Sequence, residues 1–139
     1  MKTNNKSIIS FFTVLLIFIL CNTSYSQSLQ FCEDVSKDGV PLNTSTVFNI
    51  STEGGYLKCL TTLPYRVGTT EVSYEIYKVD SDGYESYDNT IYQDVDASWT
   101  WFWKEITFYK AGRYNINVYD GDKNFLASRK SEFSIINNY

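Results

Sequence analysis

The sequence predicts an all-β fold, a sandwich or barrel of short antiparallel strands. Three observations carry this. Apolar and polar residues alternate over Trp99–Phe108 and again over Tyr114–Tyr119, the period-2 pattern of half-buried strands. Turn signals punctuate the chain at Asp38-Gly39, Gly54-Gly55, Asp82-Gly83, Gly112 and Asp120-Gly121. No segment shows sustained helical periodicity with caps. Six to eight such strands are expected, about seven.

The N-terminus reads as a leader outside that fold. Lys2 and Lys6 precede Ile8–Leu20, thirteen residues that are apolar except for Ser10 and Thr13, and Ser24-Tyr25-Ser26 follows. That is the pattern of a secretory signal peptide. A spanning helix needs about 20 apolar residues, so no stable membrane span is expected after cleavage. The expected cut follows Ser26 and leaves residues 27–139 as a single domain of 113 residues, 139 less the 26 removed. A lipoprotein cut before Cys21 fits less well, because Phe18, Ile19 and Leu20 replace the small residues of a lipobox. The leader and its Ser-Tyr-Ser-Gln-Ser ending resemble those of exported proteins of Bacteroidetes. Periplasm, cell surface and medium all remain open.

Residues 27–43 form an opening segment, with Phe31 and Cys32 turned inward and a polar turn from Glu33 to Gly39. Asp34, Ser36, Asp38 and Gly39 fall at calcium-loop spacing, but Ser45 stands at the twelfth place and Pro41 interrupts. An Asp-Gly turn accounts for them, and no metal or other cofactor is expected. Strands follow at Thr46–Ile50, Tyr56–Leu63 and Thr69–Val79. In the last, Val72, Tyr74 and Ile76 face one way and Glu71, Ser73 and Glu75 the other. Pro64 ends the second of these. Tyr84–Asp96 is acidic and tyrosine-rich, with a short strand near Thr90–Val95. Two neighbouring strands then flank a tight corner at Ala111-Gly112. A final strand, bent near Ser128, runs from Asn124–Ala127 to Glu132–Ile136.

Charge and composition exclude several functions. Loss of Lys2 and Lys6 takes the net charge from −4 to −6, with no Lys/Arg cluster. Nucleic acids and anionic membranes need the opposite balance. There is no histidine, which removes Ser-His-Asp and Cys-His catalysis and most zinc sites. Glu71 and Glu75 would lie about 13 Å apart along a strand, too far for a glycosidase pair. Asp94 and Asp96 would lie about 6–7 Å apart, which suits a carboxylate pair, a weak cation site or a solvated loop. A non-enzyme is expected. Cys32 and Cys59 remain after cleavage, and an even count in an exported chain suggests one structural disulfide. Asn43-Thr44-Ser45 and Asn49-Ile50-Ser51 are glycosylation sequons that matter only in a eukaryotic secretory pathway.

The string Lys110-Ala111-Gly112-Arg113-Tyr114-Asn115-Ile116 resembles the tyrosine corner of immunoglobulin-like domains, Asp-x-Gly-x-Tyr-x-Cys. Gly112 and Tyr114 match in place; Lys110 and Ile116 replace the aspartate and the cysteine. Over about residues 102–136 the chain is similar to bacterial immunoglobulin-like and PKD-like extracellular modules. The resemblance implies an immunoglobulin-like antiparallel β-sandwich. Ile116 implies that the usual inter-sheet disulfide is absent and that a Cys32–Cys59 bridge would be a different one.

Function rests on Trp99, Trp101 and Trp103. On a strand they form a flat row on one face, spaced about 6.6 Å. Exposed, such a row resembles the platforms on which carbohydrate-binding modules stack sugars, with Tyr92, Tyr87 or Tyr84 extending it. Buried, it is packing. Phe102, Ile106 and Phe108 form a rival core stripe on the opposite face. The expected role is an exported, non-catalytic module for a protein or glycan. The alternative is a structural or assembly component of the cell envelope, and the remote one a small carboxylate hydrolase.

Overall fold

A computed structural model describes residues 26–128 and 133–137. The leader expected at 1–26 therefore falls, apart from Ser26, outside the described residues, as does Cys21. Among the described residues there are ten strands and no helix. They are β1 (Ser28–Val35), β2 (Pro41–Thr44), β3 (Val47–Ile50), β4 (Gly55–Thr62) and β5 (Glu71–Val79). There follow β6 (Glu85–Asp94), β7 (Trp101–Phe108), β8 (Gly112–Asp120), β9 (Phe125–Ser128) and β10 (Phe133–Asn137).

Two sheets pack face to face. One has the order β2-β1-β4-β7, the other β3-β10-β8-β5-β6 with β9 also on β8. Every pairing is antiparallel except β3 on β10. Sequence neighbours are thus often not sheet neighbours: β4 lies beside β7, and β5 beside β8. This crossing of connections between two sheets is the immunoglobulin-like sandwich.

The inward faces come from the alternation. Phe31, Leu57, Cys59, Phe102 and Ile106 of one sheet share a core cluster with Tyr74, Ile76, Ile116 and Val118 of the other. Burying a Leu, Ile or Phe of this kind stabilises by about 1.5–3 kcal/mol. The Tyr114 hydroxyl donates to the Lys110 carbonyl at 2.9 Å, the backbone bond of a tyrosine corner. Its ring packs on Phe108, with centroids 4.8 Å apart.

Several elements differ from the sequence reading. The opening segment is a β1–β2 hairpin in which Cys32 sits opposite Thr44. The 84–96 region is one of the longest features, the ten-residue β6. The strands flanking Ala111-Gly112 are not sheet neighbours, since the corner carries the chain from β7 in one sheet to β8 in the other. The final strand divides into β9 and β10, which follow one another along the same edge of β8.

The expected Cys32–Cys59 disulfide is not formed; both cysteines are free and buried. Register gives the reason. Phe31 lies opposite Cys59 and Cys32 opposite Lys58. Side chains of directly opposed residues share a face, and successive residues alternate. Cys59 therefore points into the core and Cys32 to the outer face. There the Cys32 thiol donates to the Lys58 carbonyl at 3.6 Å. Burial pushes both thiols up, Cys59 well above its usual value.

Candidate binding cleft

The three tryptophans belong to one turn and one edge strand. Asp96 Oδ1 accepts from the Ser98 N–H at 2.8 Å and from its hydroxyl at 2.6 Å. These bonds hold the Asp96 carboxyl below its usual range. The turn is tethered to the 63–68 loop through Leu63 N–H to Thr100 O, Val67 N–H to Trp99 O and Gly68 N–H to Ala97 O. Trp99 is thereby fixed on the approach to β7 and left 45% exposed.

On β7, Phe102, Ile106 and Phe108 face the core. Trp101 and Trp103 therefore face outward, opposite Thr62 and Leu60 of β4. This outer face is partly covered. Leu60 is only 1% exposed yet stands apart from the main core cluster, as does Cys32. Beside them, Trp101 lies against the β1–β2 turn. A Cβ on Gly39 would come within 2.6 Å of its Cδ2, and Gly39 has φ +79°. Trp103, 36% exposed, takes the Lys58 ammonium over its ring at 4.3 Å from the centroid. Lys58 is in turn paired with Asp34 at 2.6 Å. That bond lowers the Asp34 carboxyl and raises the Lys58 ammonium. Asp34 is committed to this clasp rather than to a calcium loop.

At the free side of β7 an open cleft of about 600 Å³ is lined by Gln93, Ser98, Trp99, Thr100, Trp101, Phe102 and Trp103. The Thr100–Leu63 bond sets the parity of the β4–β7 ladder. Trp101, Trp103, Glu105 and Thr107 are non-hydrogen-bonded partners of β4, so their N–H and C=O groups point away from it. Gln93 of β6 closes part of this edge. Its Nε2 donates to Trp103 O at 2.9 Å, and its Oε1 accepts from the Tyr74 hydroxyl at 2.7 Å. One amide thus satisfies a buried phenol of one sheet and an edge carbonyl of the other. Burial pushes the Tyr74 phenol well above its usual value.

The tyrosines do not join this row. Ile91 and Tyr74 are paired and face inward, so Tyr92 and Ser73 face the outer surface of the other sheet. Tyr92 is 54% exposed there, with Lys123 5.4 Å from its ring centroid. Tyr87 packs edge-on against Tyr77 at 6.1 Å, and Tyr84 lies in the turn before β6. The sequence reading missed Gln93, Lys58 and Gly39, whose partners are far away along the chain. Asp94 lies opposite Glu71 on β5, and Asp96 is bound to Ser98. Among the described residues no group of three or more His, Cys, Asp and Glu is placed to hold a metal ion.

No family model matches the chain, and no curated protein does. Among solved structures, it is similar to an immunoglobulin-like protein of Pseudomonas aeruginosa. The match covers 83% of this chain and 100% of that one, at 14% identity and a TM-score of 0.49.

Proposed function

We propose that this chain is an exported, non-catalytic module that binds a protein or a glycan through the cleft beside β7. One observation carries the reading: three indoles from a single turn and edge strand converge on an open cleft, and two are substantially exposed. Exposed aromatic surface of this kind marks ligand and partner sites. The fold alone does not choose a function. Export rests on the leader, and mass analysis of the processed protein, beginning at Gln27, tests it.

Tryptophan fluorescence titration against glycan and peptide arrays tests the binding reading. A saturable response that Trp99→Ala and Trp103→Ala both weaken, with unchanged melting, supports it. Ligands that bind both variants as well as the parent overturn it. A second reading, an envelope assembly component, draws on the position of β6 and β7. Both end their sheets among the described residues, which leaves edges for strand pairing.

A further inference from the structure

The cleft carries a pattern of charge and hydrogen bonding that narrows its ligand. None of its lining residues is basic or acidic. Asp96 sits at its lip through Ser98 and is held ionised. Glu105 follows on the same strand face as Trp101 and Trp103. Lys104, the one basic residue of β7, has the opposite parity and lies in register with core-facing Cys59. The protein already places one cation on this surface, the Lys58 ammonium over Trp103. An indole face attracts a cation through its quadrupole, more strongly where water is displaced. The edge carbonyl of Trp103 likewise already takes an amide N–H, that of Gln93. A pairing strand would offer the same donor.

We propose that the cleft accepts an extended basic peptide segment of a partner protein as an added strand on β7. Its backbone uses the outward N–H and C=O groups of Trp101, Trp103, Glu105 and Thr107, and displaces Gln93 from Trp103 O. Its alternate side chains fall on the indole face with the spacing of Trp101 and Trp103, about 6.6 Å. Lys or Arg at alternate positions therefore meets Trp99 and the Asp96 carboxylate, while Trp103 and Glu105 keep Lys58. The acidic net charge, −4 for the full chain and −6 without Lys2 and Lys6, assists the encounter. This inference rests on the reading of the cleft as a binding site and names its ligand.

The test is a tryptophan fluorescence titration of the purified protein with three short probes: a peptide alternating Lys and Thr, its Glu/Thr counterpart, and the Lys/Thr peptide N-methylated on its pairing edge. The first is expected to saturate, the second to give no response. Trp99→Ala is expected to weaken the first about tenfold, and N-methylation to abolish it. Failure of the Lys/Thr peptide to bind overturns the inference. So does binding that ignores Trp99→Ala, which reports net charge alone, or binding that survives N-methylation, which excludes strand addition. If a glycan binds at the indoles and the Lys/Thr peptide does not, this inference fails and the broader binding reading stands. If no glycan and no peptide of the arrays binds at the indoles, both fail.

Discussion

The Gln93 amide joins the two sheets by donating to Trp103 O at 2.9 Å while accepting from the Tyr74 hydroxyl at 2.7 Å. Tyr74 is fully buried, so its hydroxyl depends on this acceptor. Gln93→Ala leaves a phenol unpaired in the core. A buried donor without a partner costs about 1–3 kcal/mol. Urea or thermal unfolding is expected to show a loss of that order. Tyr74→Phe in the Gln93→Ala background is expected to recover part of it, because both partners are then gone. If Gln93→Ala melts with the parent, the bridge is not a stabilising one.

The Tyr114–Lys110 bond makes a separate prediction at the corner between β7 and β8. Tyr114→Phe keeps the ring contact with Phe108 at 4.8 Å and removes only the hydroxyl that meets Lys110 O at 2.9 Å. The expected cost is about 1 kcal/mol, read as a melting temperature about 5 °C lower. The fold itself is expected to persist, since Ile116 and Val118 of β8 stay in the core. An unchanged melting temperature would show that the corner bond adds nothing net.

Which of this was legible in the sequence follows from how local each signal is. The phase of Phe102, Ile106 and Phe108 is a property of one strand, and it offered a core stripe as the rival of the tryptophan row; their burial decides between the two. Glycine two residues before Tyr114 is local too. Whether the tryptophans were covered was not local: Lys58 and Gly39 reach Trp103 and Trp101 from other strands and turns. β6 was underestimated because most of its residues are exposed, so neither face shows apolar alternation. An edge strand pairs through backbone bonds on one side and leaves little pattern in its side chains. β1 was hidden by Glu33 and Asp34, which end its apolar alternation at the hairpin.

The cysteine count misled for the same reason. Two cysteines on adjacent strands are close in space, yet the register of Phe31 with Cys59 sends the two thiols to opposite faces. Both are therefore expected to be alkylated in denaturant without reductant, and reductant is expected to leave the melting temperature unchanged. A bridge would add roughly 3 kcal/mol by the chain-entropy argument for a spacing of 27 residues. A reductant-dependent fall of several degrees would therefore be plain, and would contradict the register.

The Lys58 clasp predicts a pH dependence with a definite sign. Asp34 is lowered below its ordinary value of 3.8, mainly by the Lys58 hydrogen bond. Its contribution is present above that value and is lost as pH falls through the lowered one. Lys58 is raised above 10.5, mainly by Asp34, so its contribution is lost only as pH rises past that raised value. Between the two the clasp stays closed, and Lys58 stays over Trp103. Both groups reach solvent, so the change in stability is expected to be small. The change at Trp103 is not, because the ring loses a fixed cation 4.3 Å from its centroid. An acid titration followed by tryptophan fluorescence is expected to show a step below pH 3.8. Asp34→Asn is expected to remove that step while leaving the global unfolding transition in place. A step that persists in Asp34→Asn would assign the signal to other carboxylates, and would mean that the clasp does not control the position of Lys58 over the indole.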